Sequence, residues 1–462
     1  MPIVSKIIQE GQGGNIYCKP GVPDSGLLYG HKMLINGHPK RAAEYYATAL
    51  GEHHHRPDFW QNLPSAILQQ SGSEELGLIC ARRAVALDPE NPGLLQNLSS
   101  MSWRLGHIEE AKQALERADE LDPNNWVLLM DLAEIASLQE DYERCAYYYN
   151  RTRECAPKDD RGVQSMIDFQ ESFTMMMVGD YKNGLAFHEG RFGQHTTVKT
   201  QVWELGAPEW RGEDLTGKHI MIHQDQGDGD TVMFVRYLRE LMLIPNCRVS
   251  LAVPDRLMRL LHYNGIYNIY GDLPKPDYHS PVASFAQFLD CEIPSWGGSY
   301  VRKTEDIKAP VGFNIGICWT PKAEVPDQQR QVPFLKMAAL AELPGVILHS
   351  LQIERNGVLK TTGADMFIRN RANEIRDWQD TANLMASMDL IVSIDSGPAH
   401  VAGALGMPTF CLLPYRASWR WGVREMSTTP WYPSMRLFRQ PETGDWETPF
   451  EQLRAAIRET LG

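Results

Sequence analysis

The sequence lacks the features that direct a chain into or across a membrane. It contains no run of about 18 apolar residues, which is the length that a membrane-spanning helix requires. The N-terminal stretch MPIVSKIIQEGQGG has no basic region followed by a long apolar core, so it is not typical of a secretory signal. We therefore expect no membrane span and a cytoplasmic location.

Paired cysteines and an excess of basic residues are also missing. None of the eight cysteines forms a Cys-x-x-Cys pair, which argues against a zinc site or a disulfide framework and favours free thiols. The 45 Lys and Arg residues are outnumbered by 58 Asp and Glu residues, and the formal net charge is −13. Because nucleic acids attract positively charged surfaces, we do not expect nucleic acid as a partner.

A dinucleotide-binding fingerprint is absent as well. The turn QGDGD contains Gly227 and Gly229, but Val232 stands where the pattern G-x-G-x-x-G requires its third glycine. We therefore do not expect a dehydrogenase.

The first part of the chain contains a repeat. Pro89, Pro123 and Pro157 are spaced by 34 residues, the period of the tetratricopeptide helix–turn–helix unit. Gly106 marks the turn between the two helices of one unit. Stacked units of this kind form a solenoid whose concave surface suits extended peptides.

Weaker copies of the repeat flank this region, around Gly37 and Gly179. We predict an N-terminal extension at residues 1–24 and an α-helical tetratricopeptide solenoid at residues 25–200. A repeat array of this kind is often only a scaffold.

From Lys218 onwards, short apolar strands alternate with helices, which predicts parallel sheets with crossover helices. Two series are visible, and a charged stretch that ends in proline separates them. We predict one Rossmann-like domain at 201–308 and a second at 309–462. Ligands of such open sheets bind at the carboxyl ends of the strands.

One such strand end carries a polar motif. The apolar strand DLIVSI is followed by Asp395, Ser396, Gly397, a proline and Ala399-His400. Free N–H groups and the dipole of the following helix would favour an anion there, and His400 could add a donor. In the alternative interpretation, Asp395 or Ser396 caps the helix and His400 packs locally.

The motif resembles the phosphate-binding loop of heptosyltransferase-like glycosyltransferases of family nine, whose pattern is Asp-Thr/Ser-Gly-x-x-His before a small-residue helix. The runs WRW at 419–421, WYP at 431–433 and RLFRQ at 436–440 resemble bacterial proteins that fuse tetratricopeptide repeats to such a domain. The resemblance implies a GT-B fold of two Rossmann-like domains. It also implies transfer of a sugar from a nucleotide-diphospho-sugar to an acceptor hydroxyl.

The resemblance implies roles for individual residues. Gly229-Asp230 matches the Gly-Asp pair of the family, whose aspartate is the proposed general base; alternatively, Asp230 caps the helix that follows. The motif residues Asp395, Ser396, Gly397 and His400 are implied to bind the donor.

Three further residues resemble donor-binding positions: Trp319, Arg330 and Gln352. Arg330 would face the diphosphate, although Gln331 departs from the usual serine and Lys322 is the alternative cation. Asp380 is interpreted first as a helix cap.

The resemblance further implies an inverting reaction that needs no cofactor beyond the nucleotide sugar and no essential metal. The triplet DGD at 228–230 also spells the Asp-x-Asp metal signature of a different glycosyltransferase fold, where it usually follows several strands rather than the first one. The expected acceptor is a protein held by the repeats. Alternatives are a glycan, a lipid-linked saccharide or a modified nucleobase, or a non-catalytic adaptor.

Overall fold

The computed structural model describes residues 25–71, 73–193, 206–262, 267–268, 275–294, 298–321 and 330–462. The chain divides into one unit of Met1–Ile167 with Gly193–Thr197, and a second unit of Asp168–Phe192 with Val198–Gly462. In the described parts, no helix is both long and apolar enough to cross a membrane.

Helical pairs form the first unit, as the repeat spacing predicts. The helices are α1 (Ser25–Ile35), α2 (Pro39–His53), α3 (Pro57–Ser71), α4 (Glu74–Leu87), α5 (Pro92–Arg104), α6 (Ile108–Leu121), α7 (Trp126–Leu138), α8 (Tyr142–Cys155) and the start of α9 (Arg161–Met177). The small residues Ala111, Ala114 and Ala118 are buried where α6 packs within this core.

The turns between paired helices share one backbone geometry. Gly106 has a φ of 81°, and the N–H of His107 donates to the Ser102 carbonyl at 2.9 Å. Glu140 lies one repeat later and takes the same left-handed conformation with a φ of 61°, although it is not glycine. This hydrogen-bonded ending satisfies carbonyls that a helix C-terminus otherwise leaves open.

The last helical pair contributes to the second unit. Met176 of α9 and both Tyr181 and Leu185 of α10 (Tyr181–His188) are buried in one core with Ile220, in a strand of the first sheet, and Phe285, in a short 3-10 helix. This pair therefore folds as part of the α/β region. The predicted boundary at residue 200 lies outside the described residues.

The first sheet has the parallel order β3-β2-β1-β4. Its strands are β1 (His219–His223), β2 (Arg248–Ala252), β3 (Tyr267–Asn268) and β4 (Tyr278–Pro281), and its helices are α11 (Asp228–Phe234), α12 (Leu238–Met242) and α13 (Asp255–Met258). We call residues 206–294 the first lobe.

The second sheet has the order β10-β11-β9-β8-β5-β6-β7, parallel except for β10 against β11. Its strands are β5 (Phe313–Ile317), β6 (Val346–Ser350), β7 (Ile368–Asn370), β8 (Leu390–Ile394), β9 (Thr409–Leu413), β10 (Thr428–Thr429) and β11 (Tyr432–Arg439). Its helices are α14 (Phe334–Ala338), α15 (Val358–Thr362), α16 (Trp378–Met385), α17 (Gly397–Leu405) and α18 (Glu447–Leu461). We call residues 313–462 the second lobe.

The strand order of the second lobe, counted from β5, is the doubly wound Rossmann order with β11 as its sixth strand. The chain reverses direction across the sheet between β5 and β8, which are neighbours. Ligands bind outside the carboxyl ends of the strands at such a switch point. The predicted fold, a tetratricopeptide solenoid followed by two Rossmann-like domains, is confirmed.

Candidate functional site

The motif predicted to bind an anion lies at this switch point. Strand β8 is buried along its whole length and delivers Asp395 and Ser396 to the N-terminus of α17, with a proline in the first turn of the helix. Ser396 occupies the cap position, but its hydroxyl donates to the Ile394 carbonyl at 3.2 Å and makes no cap bond. The N-terminus of α17 thus has no side-chain cap, as an anion-binding helix end requires.

Positions 397 and 229 have no room for a side chain, because aromatic rings approach the backbone of Gly397 and Gly229. A Cβ atom on Gly397 would lie 2.7 Å from the indole of Trp378, and one on Gly229 would lie 2.7 Å from the imidazole of His400. Gly229 belongs to the first lobe and His400 to the second, so this contact brings the two lobes together at the site.

His400 is buried in an aromatic environment. It is 4% exposed, its ring stacks on Trp421 with centroids 5.5 Å apart, and Nδ1 lies 2.9 Å from the Tyr432 hydroxyl. Burial, together with the charge of the nearby Arg420, lowers the pKa of His400 to about 3. His400 is therefore neutral at physiological pH and brings at most one N–H donor to an anion.

Asp230 lies in the first turn of α11, which begins at Asp228, three residues earlier than the sequence suggests. Its Oδ2 atom accepts the N–H of Gly227 at 3.2 Å, so the carboxylate caps its own helix. Its Oδ1 atom accepts a hydrogen bond from Arg420 of the second lobe. Asp230 thus caps α11 and contacts the second lobe at the same time.

Arg330 approaches the same place from the segment after β5. Its Nη1 atom donates to the Asp395 carbonyl at 3.1 Å and lies 4.0 Å from the Asp395 carboxylate. Burial raises the pKa of Asp395, and the charges of Arg330 and Arg420 oppose that rise. Two guanidinium groups therefore lie near the N-terminus of α17.

Trp319 and Gln352 are buried in the second lobe near the end of β5. The Trp319 indole is buried in the core of the second lobe, 5.1 Å from the Phe334 ring between centroids. The Gln352 carboxamide oxygen accepts the N–H groups of Trp319 and Thr320 at 3.1 and 3.2 Å, which holds the end of β5. The alternative cation, Lys322, lies outside the described residues.

Asp228 has a different set of partners from Asp230. Its carboxylate binds Arg256 through two hydrogen bonds of 2.6 and 2.7 Å, and it accepts the indole N–H of Trp378 at 2.8 Å. Burial raises the pKa of Asp228, but the bonds from Arg256 and Trp378 outweigh burial and the net shift is downward. The two carboxylates of the DGD triplet thus bind arginines of different lobes: Asp228 binds Arg256 of the first lobe, and Asp230 binds Arg420 of the second.

A further contact between the lobes involves α16. The side chain of Asp377 caps α16 by accepting the N–H groups of Gln379 and Asp380, so the cap lies three residues before the one that the sequence suggests. The carboxylate of Asp380 pairs instead with Arg376 and, at 3.2 Å, with Arg259 of the first lobe. Among the described residues, no three Asp, Glu, His or Cys side chains cluster in a way that could hold a metal ion.

Two residues of the site were not singled out by the sequence. Arg420 binds Asp230 although the two are 190 positions apart, and Trp378 covers Gly397. The available signal for Arg420 was its position between Trp419 and Trp421, within a run that resembles family nine.

The comparisons with known proteins concern both parts of the chain. Residues 377–444 match glycosyltransferase family 9 (heptosyltransferase), and residues 92–125 match a tetratricopeptide repeat. Protein FlbA of Caulobacter vibrioides is 24% identical to this chain over 491 aligned positions, which cover 95% of this chain and 79% of FlbA.

Solved structures similar to part of the chain include a thermophilic TPR protein of Thermus thermophilus, with 17% identity, 37% of this chain and 92% of that chain covered, and a TM-score of 0.32. PilF of Pseudomonas aeruginosa has 16% identity, with 41% of this chain and 88% of that chain covered, and a TM-score of 0.32.

The matches to a tetratricopeptide repeat and to glycosyltransferase family 9 occur in the order that the resemblance predicts, and the second match supports a glycosyltransferase. The matched segment 377–444 includes α16, the motif at Asp395–His400 and the arginine that binds Asp230.

Proposed function

We propose that the second unit transfers a sugar from a nucleotide-diphospho-sugar to the hydroxyl group of a protein that the repeats bind. The observation that carries the proposal is the uncapped N-terminus of α17 at the switch point, with Arg330, Arg420 and Asp230 around it. Free helix N–H groups and guanidinium groups are the donors that bind phosphates without a metal.

In this proposal the diphosphate lies against the start of α17. Arg330 and Arg420 offset the negative charge that grows on the leaving phosphate as the bond to the sugar breaks. His400 is neutral, so it supports the loop through its contacts with Tyr432 and Trp421 rather than through a charge. In this proposal the guanidinium and helix N–H groups take the role that a metal ion has in other phosphate sites.

Asp230 is the proposed general base. It takes the proton of the acceptor hydroxyl, the hydroxyl oxygen forms a bond to the anomeric carbon, and the phosphate oxygen leaves with the electron pair of the broken bond. A single displacement of this kind inverts the configuration of the anomeric carbon.

The repeats support a protein acceptor rather than a small one. A small molecule could be held entirely by the two lobes, whereas a repeat surface binds an extended chain segment and raises its local concentration. A crevice between α5 and α7, lined by Ser99, Ser100, Asp131 and Glu134 among others, offers polar groups for such a segment.

The experiment compares the parent protein with Asp230→Asn, which keeps the size of the side chain and its capping ability. Thermal shift with UDP, GDP, ADP, CDP and dTDP identifies the nucleotide, since a ligand that binds only the folded protein raises its melting temperature. Release of nucleotide from the matching sugar donor is then measured with and without acceptor. We expect nucleotide binding to persist in Asp230→Asn while turnover falls by about two to four orders of magnitude.

Asp214→Asn is the matched control, because Asp214 lies on an exposed turn of the first lobe and binds Thr216. Parental turnover in Asp230→Asn would refute the base assignment. A parent that binds no nucleotide and transfers no sugar to any acceptor, but captures a protein through its repeats, would identify an adaptor instead. Response to a nucleoside monophosphate alone would contradict the diphosphate donor.

A further inference from the structure

Arg420 has a position that its contacts only partly explain. Its Nη1 atom donates to the Ser418 hydroxyl at 2.8 Å, Nη2 donates to Asp230, and its guanidinium lies 4.5 Å from the centre of the Trp419 ring. Its Nε atom is buried and has no hydrogen-bond partner among the described residues. A buried guanidinium N–H without an acceptor is costly, which indicates that the side chain is prepared for another partner.

The surroundings indicate that this partner is an anion. Arg420 is close enough to the N-terminus of α17 for its charge to oppose the rise that burial causes in the pKa of Asp395 and to add to the lowering of the pKa of His400. A phosphate group at that helix end would offer the guanidinium two oxygen acceptors, a geometry that suits arginine better than lysine. Arg420 therefore lies between two sites of negative charge, the carboxylate of Asp230 and the place of the donor phosphates.

The contact with Asp230 has a consequence for catalysis. A guanidinium N–H binds Oδ1 and the N–H of Gly227 binds Oδ2, so each oxygen keeps one lone pair and Arg420 competes with an acceptor hydroxyl for Oδ1. Movement of Arg420 would therefore open Oδ1 fully to the acceptor hydroxyl. Only the Arg420 contact can change readily, because the Gly227 contact belongs to the first turn of α11.

We propose that Arg420 exchanges its partner: it holds Asp230 when the donor site is empty and turns to the donor phosphates when the site is filled. Donor binding then releases Oδ1 of the base in the same step, so deprotonation of an acceptor hydroxyl is favoured when a sugar is in place. This proposal rests on the proposed function, since it needs a donor phosphate at the start of α17.

The test is a double-mutant cycle on nucleotide affinity. Isothermal titration is performed with the nucleoside diphosphate that gives the largest thermal shift, on the parent, Asp230→Asn, Arg420→Gln and the double variant. We expect Asp230→Asn to bind about three- to thirtyfold more tightly than the parent, because Arg420 no longer has to leave a carboxylate. Arg420→Gln should bind at least about tenfold more weakly.

Measuring Asp230→Asn both in the parent and in Arg420→Gln distinguishes the exchange from simple charge repulsion. Removing a negative charge near an anion would tighten binding by the same factor whether or not Arg420 is present. The exchange requires the gain to disappear in the Arg420→Gln background. Equal gains in both backgrounds, no gain in either, or weaker binding in Asp230→Asn would each overturn the proposal.

Two further variants keep the test decisive. Arg424→Gln is the matched control, because Arg424 lies in the same loop and its guanidinium packs on Tyr415 instead; its affinity should equal that of the parent. If Arg420→Gln fails to melt cooperatively, Arg420→Lys replaces it, with a smaller but still measurable coupling expected. A parent that binds none of the nucleotides refutes the proposed function itself, whereas binding without coupling refutes the exchange alone.

Discussion

Replacing Arg191 by methionine should remove the bond that ties the last helical pair to the first lobe. The Arg191 side chain is 0% exposed; its Nε atom donates to Asp225 at 2.9 Å and Nη2 donates to Ser284 at 2.5 Å. The Asp225 side chain is also 0% exposed. Because removing one partner of a buried ion pair leaves the other charge uncompensated, we expect the free energy of unfolding to fall by about 3–5 kcal/mol.

The loss should depend on pH in a defined direction. Burial raises the pKa of Asp225, and Arg191 opposes that rise through its charge and its hydrogen bond. Without Arg191 the folded-state pKa of Asp225 rises further above the unfolded value. A carboxyl group with a raised folded pKa lowers the stability increasingly as the pH rises from its unfolded pKa through its folded pKa, so the loss should shrink as the pH falls from 8 towards 4.

Urea denaturation followed by circular dichroism and tryptophan fluorescence measures the effect. Arg211→Met is the matched control, since the Arg211 side chain is 51% exposed and its pairs with Glu189 and Glu209 should contribute less than about 1 kcal/mol. The double variant Arg191→Met/Asp225→Asn should recover part of the stability, because no unpaired charge remains. If Arg191→Met costs no more than Arg211→Met, the argument from the buried pair is refuted.

Two predictions concern the repeats. Burial raises the pKa of Asp131 to about 7 despite a 2.7 Å hydrogen bond from Gln96. Asp131→Asn should therefore raise the free energy of unfolding by about 1–3 kcal/mol at pH 8 and by little at pH 4. Denaturation at the two pH values measures this, and an equal gain at both would contradict the prediction. Glu134→Arg, in the crevice between α5 and α7, should raise the KM for a protein acceptor about tenfold or more while nucleotide affinity is unchanged, whereas the exposed Glu154→Arg on α8 should change neither. Equal kinetics for both variants would show that this crevice does not bind the acceptor.

Local sequence patterns were sufficient to predict most of the helices and strands. The 34-residue spacing of prolines predicted the helical pairs, and the apolar runs predicted strands such as β1, β5 and β8 within a few residues. These features depend on neighbours along the chain, because turn glycines, helix-ending prolines and apolar periodicity act over a few residues. The motif at Asp395–His400 was found for the same reason, since one short stretch contains the strand end, the glycine and the helix start.

The partners of these residues were decided by tertiary structure. Arg420 reaches Asp230, Trp378 covers Gly397, and the imidazole of His400 fills the space that Gly229 leaves open. Each contact joins segments that are far apart in sequence, and no local pattern encodes which side chains two lobes bring together. The sequence by itself therefore determined the repeats, the two sheets and the place of the anion motif. Only the packing of the lobes decided that His400 is buried and neutral, and that the proposed base is held by an arginine.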